Sequence, residues 1–341
     1  MSKVAVVLFN LGGPDKPEAV RGFLFNLFND PAIIGSPGPI RCLLAQWISR
    51  KRAPIAREIY ANLGGGSPLL PNTQAQAQAL EDALGHSARV FIAMRYWHPF
   101  AAETAAKVKA YGPDHVILLP LYPQFSTTTS GSSLKNWAEA SAQVGLDAPT
   151  SAVCCYPREG GFVDEVAEKL RAALDQTETG AKPRVLFSAH GLPKKIVAGG
   201  DPYQWQIEES AKAVVEALNA PGLDWRICYQ SRVGPLEWIG PSTEDEIARA
   251  GADGVPLIVV PIAFVSEHSE TLVELDIEYA HLAKSKGVPS YRRVATVDDG
   301  VHFIGGLARL VRDAEERAVK LSAGEGERIC PAACGRCPLA A

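Results

Sequence analysis

Apolar residues along this chain fall into two patterns. Short unbroken runs rich in Val, Ile, Leu and Phe alternate with longer stretches in which apolar residues recur at every third or fourth position. The runs predict strands at Val4–Asn10, Arg89–Met94, Val116–Pro120, Ser151–Cys155, Val185–Ser188, Arg226–Tyr229, Leu257–Pro261 and Ser290–Arg293. The periodic stretches predict helices, among them Ala101–Ala110, Val163–Leu174, Ile207–Leu218 and Glu270–Ala283. Strands that are apolar on both faces and separated by helices belong in parallel sheets covered on both sides. Four strands precede residue 160 and four follow it. The expected fold is therefore α/β, with two similar halves, each a parallel four-stranded sheet flanked by helices. Residues 1–160 and 161–325 make the halves, with a cysteine-rich tail at 326–341, and the last helix is expected to pack back on the first half.

Composition narrows the function. At 341 residues, 47% hydrophobic and 21% charged, the chain suits two well-cored units, and 34 basic against 38 acidic residues leave no basic footprint for nucleic acid. The opening run Val4–Phe9 is too short for a secretory leader, and "VPLIVVPIAFV" is broken by Pro256 and Pro261, so no bilayer span is expected. The expected location is cytoplasmic. Seven cysteines, an odd number without a leader, argue against a disulfide framework and turn Cys330, Cys334 and Cys337 toward metal or cluster binding. No GxGxxG follows the first strand, and "LGGGSP" lacks the Lys of a phosphate loop.

In open sheets ligands bind beyond the carboxyl ends of the strands, so the segments that follow strands carry the chemistry. His190 lies just past the strand "VLFS", in "SAHGLP", where an imidazole can take a proton or ligate a metal. In "SEHSETLVELDIEY", Glu270, Glu274 and Glu278 recur every four residues and form one stripe, with His268 and Glu267 at its start. Such like-charge spacing costs about 0.2–0.5 kcal/mol per pair. A solvated face tolerates that cost; a path of weak oxygen sites for a divalent cation would use it. Tyr60, Tyr96, Trp97, Phe125, Trp238 and Phe264 lie in or near these loops. Beside Arg95, which can pair with a carboxylate, they suit a large flat aromatic ligand with acidic side groups.

Taken in order, "LFNLGGP", "LGGGSP", "LPLYPQFSTTTSGSS", "LFSAHGLP", "CYQSRVGPLEWIGPST" and "PIAFVSEHSETLVELDIEY" resemble ferrochelatase from about residue 4 to 320. The resemblance implies a lyase that inserts Fe²⁺ into protoporphyrin IX, and two Rossmann-like halves with the tetrapyrrole in a cleft between them. It assigns His190 and Glu270 as catalytic, His190 acting either as base or as metal ligand. His268, Glu274 and Glu278 join those two as candidate metal ligands. Ile34, Tyr60, Ser67, Arg95, Tyr96, Trp238 and Phe264 fall on positions that line the macrocycle pocket. Coproporphyrin III is the alternative substrate, "NLGGP" resembling the protoporphyrin type, and a tetrapyrrole or metal carrier is the non-enzyme alternative. Ile33, Ile34, Ile40, Leu43, Leu44 and Trp47 precede Arg50–Arg52, a pattern for either a buried helix or a lip resting peripherally on the inner face of the membrane. A homodimer is compatible with the resemblance.

Some ferrochelatases hold a [2Fe–2S] cluster on three C-terminal cysteines and one from elsewhere, which implies that role for Cys330, Cys334 and Cys337. The fourth thiolate would come from Cys155 or Cys154, with Cys42 and Cys228 as alternatives and structural zinc as the rival occupant. Animal members take their fourth cysteine from the loop that here reads "YPQFSTTTS", with Thr127 at that place.

Overall fold

A computed structural model describes residues 3–86, 88–177, 182–232 and 234–340. The chain forms two compact units. The first runs through Cys155 and takes Leu307–Glu327; the second comprises Tyr156–Gly306 and the chain from Arg328 onward.

The first unit holds a sheet ordered β2-β1-β3-β4-β9, from β1 (Val4–Asn10), β2 (Ala88–Met94), β3 (His115–Pro120), β4 (Thr150–Val153) and β9 (Leu321–Ser322). The second holds β6-β5-β7-β8, from β5 (Arg184–His190), β6 (Asp224–Gln230), β7 (Leu257–Pro261) and β8 (Tyr291–Arg293). Every pairing is parallel. The first four strands of each unit share one winding order, so the same doubly wound pattern occurs twice. The first sheet has five strands where the sequence pattern predicts four. Ala152 pairs with Leu321 and Val153 with Ser322, and a two-residue strand is too short to show any periodicity.

The central strands are apolar on both faces because both faces are covered. All seven residues of β1 are buried, and Val185, Leu186 and Phe187 of β5 are fully so. Phe9 packs on Trp137 of the flanking helix Ser130–Val144, with ring centroids 5.9 Å apart. Burying each such side chain contributes about 1.5–3 kcal/mol. In the second unit, Leu186, Cys228 and Val259 meet Ile247, Leu275 and Tyr279 from the covering helices.

Both sheets reverse their winding between the first and third strands of the unit, the place where this architecture leaves a crevice at the strand ends. In the second unit that point lies between β5, which ends on His190, and β7, whose following loop carries Glu267 and His268. The chain then enters a π-helix, Glu270–Tyr279, and continues as the α-helix Ala280–Ser285. A π-helix of ten residues is unusual, since such turns mostly occur singly and near functional sites.

Candidate functional site

His190 is the last residue of β5 and pairs with Gln230 of β6. Its backbone carbonyl accepts the Tyr203 hydroxyl at 3.0 Å. Its ring Nδ1 lies 2.6 Å from the Gly191 carbonyl. A carbonyl only accepts, so Nδ1 carries a proton, and in the neutral ring the lone pair is on Nε2. That Nε2 is 3.8 Å from Glu270 Oε2, too far for a hydrogen bond and near enough for one cation to touch both. Nitrogen and oxygen ligands sit about 2.0–2.2 Å from a first-row divalent metal such as zinc, so two of them on one ion are at most about 4.4 Å apart.

The acidic residues divide. Glu274 is saturated: Oε1 accepts the Ser231 amide at 2.8 Å and the Tyr279 hydroxyl at 3.1 Å. Its Oε2 accepts the Ser231 hydroxyl at 2.5 Å and the Gln230 amide at 3.0 Å. Burial, and then the Glu270 charge, push its pKa above the usual carboxylate value, against the pull of these donors. Ser231 Oγ also lies 3.2 Å from Glu270 Oε2, so one hydroxyl bridges the two carboxylates. Ser231 holds a left-handed φ of 58°, a conformation that costs a non-glycine residue energy and recurs at functional sites. Glu278 is exposed, so the stripe runs from the interior to the surface.

His268 is buried, with Nδ1 3.1 Å from the Ser266 carbonyl and its ring 4.7 Å from Phe264. Burial lowers its pKa, so the neutral ring keeps a free Nε2 lone pair. Beside it, Glu267 accepts Arg293 at 2.7 Å and the Thr296 amide at 3.0 Å. Burial pushes the Glu267 pKa up, but Arg293 and the other donors outweigh it and hold the carboxyl below its usual range. Trp238 pairs through its backbone with Pro193, just past His190, and its buried indole N–H has no hydrogen-bond partner. Among the described residues, no set of three His, Cys, Asp or Glu side chains is arranged to hold a metal ion. The second unit thus offers a two-donor site, His190 with Glu270, rather than a closed cage.

The first unit brings together a different group. Tyr96 and Tyr60 are buried in one apolar cluster with Val20, Phe23 and Leu24. Arg95 finds a carboxylate, but an internal one, with Nη2 2.7 Å from Asp30 Oδ2. The Tyr96 hydroxyl donates to that same oxygen at 2.8 Å and Ser132 Oγ at 2.7 Å, while Arg95 Nε donates to Ser132 at 2.8 Å. Burial and Asp30 hold the Tyr96 hydroxyl far above its ordinary pKa. Ser67 packs against Gly13, where an added Cβ would come within 2.5 Å of Ser67, so the loop after β1 needs glycine there. Ile34 is half-buried, whereas Ile33, Ile40, Leu43, Leu44 and Trp47 are exposed, Leu43 by 73% and Trp47 by 62%. The part of that stripe on the helix Gly38–Ala61, Ile40 to Trp47, is not a buried face. No described helix is long and apolar enough to cross a membrane.

The tail is ordered by backbone grips. The Arg328 guanidinium donates to the carbonyls of Cys330, Pro331 and Cys334, and Arg336 N donates to Gly200 O at 3.0 Å. Gly200 has φ +96°, and a Cβ there would lie 2.9 Å from Gly335 N. Cys330 and Cys337 are buried, and Gln206 Nε2 donates to Cys330 Sγ at 3.1 Å. Burial, and then Cys337, raise the pKa of Cys334. Cys228, inside β6, is pushed up to about 12 by burial, and Cys42 is exposed. Cys154 and Cys155 are buried at the end of β4, where Gly324 N donates to Cys155 O at 2.7 Å.

Ser231, Gln230, Tyr203, Asp30 and Ser132 escape pattern reading. Only the strand-end position of "YQS" hints at the first two.

A family model described as Ferrochelatase matches residues 3–315. Proteins named Ferrochelatase from Caulobacter vibrioides and Phenylobacterium zucineum are 54% and 55% identical, each over 98% of this chain and 97% of its own length. That of Pelagibacter ubique is 46% identical over 98% of both chains. Among solved structures, SirB from Bacillus subtilis with Fe3+ covers 92% of this chain and 95% of its own at 12% identity and a TM-score of 0.56, a likeness of fold. A single family model spans nearly the whole sequence and relatives share about half its residues end to end, so this chain belongs to the ferrochelatase family.

Proposed function

We propose that this ferrochelatase inserts Fe²⁺ into protoporphyrin IX, with His190 and Glu270 as the groups that act at the ring nitrogens. The observation that carries this reading is the His190 Nε2 lone pair facing Glu270 Oε2 at 3.8 Å, at the winding reversal of the second sheet. Insertion exchanges two pyrrole N–H protons for one dication, with no change in the oxidation state of the iron. The protein must therefore accept two protons and hold the substrate metal loosely. One imidazole with one carboxylate does both, because two ligands bind a divalent ion weakly enough to release it. Glu274, whose pKa is raised by burial and then by Glu270, takes up a proton more readily than an ordinary carboxylate, and Ser231 links it to Glu270. Phe264 beside His268 suits the face of an aromatic ring, and the unpartnered indole N–H of Trp238 can donate to a polar acceptor on such a ligand.

The test is anaerobic metal insertion with Fe²⁺ or Zn²⁺ into protoporphyrin IX, comparing wild type with His190→Ala. Loss of about 100-fold or more in kcat is expected for removal of a general base. Full activity in the variant would refute the role.

The exposed apolar stripe ahead of Arg50–Arg52 supports peripheral contact with the inner face of a membrane. The tail fits a [2Fe–2S] cluster in donor chemistry. It supplies the three thiols Cys330, Cys334 and Cys337, and the Gln206 amide donates to the buried Cys330 sulfur, the kind of hydrogen bond that tunes such a cluster. Cys155 is the preferred fourth thiol, a buried cysteine just past the end of β4. Cys228 is disfavoured, since its sulfur lies inside β6 and already accepts the Thr243 hydroxyl at 3.3 Å. When bound, the group supplies a sulfur-bridged iron centre that stiffens the tail or senses oxidation. Iron and sulfide analysis of wild type and Cys155→Ser tests it; zinc in their place would overturn it.

A further inference from the structure

We propose that Asp30 determines which tetrapyrroles the protein accepts, by neutralising Arg95 so that this wall offers no free cation to additional substrate carboxylates. The inference rests on the reading that Arg95 and Tyr96 line the tetrapyrrole site. The Asp30 side chain is 2% exposed and fully engaged. Oδ2 takes the Arg95 guanidinium and the hydroxyls of Tyr96 and Ser132, all within 2.8 Å, and Oδ1 takes the Ala32 amide at 2.8 Å. The Asp30 backbone carbonyl also accepts the amides of Ile33 and Ile34, which fixes the turn that carries those apolar side chains.

Arg95 remains 19% exposed and borders a polar cavity of about 310 Å³ that Asp30, Asn26, Asn136 and Glu139 also line. Asp30 already matches the Arg95 charge, and the exposed Glu139 adds a second carboxylate to the cavity lining, so a further carboxylate would find no free cation there. Repulsion of this kind excludes a competitor more sharply than attraction selects a partner. Protoporphyrin IX carries two carboxylates and presents an uncharged methyl and vinyl edge. Coproporphyrin III carries four, one on each pyrrole ring, and cannot avoid placing one near this wall. A neutralised Arg95 therefore favours the dicarboxylate.

The test compares kcat/KM for Zn²⁺ insertion into coproporphyrin III and protoporphyrin IX. In Asp30→Asn the amide keeps an acceptor for Ala32 N while Arg95 becomes an unpaired cation. The coproporphyrin-to-protoporphyrin ratio should rise about ten-fold, and high salt should diminish the gain. In Asp30→Asn with Arg95→Met, the ratio should return to the wild-type value. A ratio within two-fold of wild type in Asp30→Asn, with both insertions measurable, overturns the proposal. If the double variant nevertheless changes KM for both porphyrins, Arg95 does line the site and only the role of Asp30 fails. If no variant alters either KM, Arg95 lies outside the site and the underlying reading fails. Should Asp30→Asn not fold, the exposed substitution Glu139→Lys places a cation on the same cavity. It should move the ratio in the same direction, and no movement there also overturns the proposal.

Discussion

Replacing Glu270 by Gln should make the protein more stable and less active. One Ser231 hydroxyl reaches Oε2 of both Glu270 and Glu274, at 3.2 and 2.5 Å, so these oxygens are less than about 6 Å apart. At an effective dielectric of about 20, full charges at that separation repel by about 3 kcal/mol. Glu270 is 24% exposed, and screening reduces this to about 1–1.5 kcal/mol. Gln keeps the shape and an acceptor for Ser231 while removing the charge. The gain should follow the protonation of Glu274, whose folded-state pKa is raised by burial and then by Glu270. Below the ordinary value of about 4.5, Glu274 is neutral folded and unfolded, and the substitution confers no advantage. Above it the unfolded chain ionises first and the wild type loses stability. The advantage of Gln grows until pH passes the raised folded value, then levels off. Thermal melts from pH 4 to 8 should show a gain of about 2–4 °C at the upper end and none at the lower. Equal melting of both proteins at every pH would refute the repulsion, and undiminished insertion by the variant would remove Glu270 from the chemistry.

Two further substitutions test the frame around the site. Arg293→Met should cost about 1.5–3 kcal/mol at neutral pH, because it takes the charged partner from the half-buried carboxylate of Glu267. The depressed pKa of Glu267 contributes stability above the ordinary value that is lost as pH falls through the depressed one, so the penalty should shrink in acid; a penalty constant with pH in urea titrations would assign Arg293 a packing role instead. Gly161→Ala should cost about 3 kcal/mol or more, since a Cβ there would lie 2.1 Å from the His302 carbonyl and 3.0 Å from Gly306. A wild-type urea midpoint for that variant would show that the two helical segments can separate.

The central strands were legible because they are apolar on both faces: β1 and β7 fall where the pattern places them, residue for residue. At β5 the pattern stops at Ser188, yet pairing continues through Ala189 and His190, so the candidate catalytic histidine belongs to the strand and inherits its rigidity. The stretch Glu270–Ala283 reads as one helix, but its first ten residues are a π-helix, which apolar spacing of three and four cannot distinguish. The stripe from Ile40 to Trp47 has the same periodicity whether covered or bare; only the packed structure reveals that it is bare. Asp30 was invisible because its meaning lies in partners 66 and 102 residues away, Tyr96 and Ser132. Pattern finds surfaces, whereas hydrogen-bonded networks belong to the folded chain.

The short strand Leu321–Ser322 also bears on how the protein is made. The chain passes between its units after Cys155, again after Gly306 and again after Glu327, so neither unit is a continuous stretch of sequence. A ribosome completes β4, which ends at Val153, long before it makes the neighbour that covers its outer edge, Leu321–Ser322. Until then the nascent first unit presents an open strand edge, the feature through which growing chains pair with the wrong partner. Two residues that add little to the core thus decide how long the newborn protein stays vulnerable.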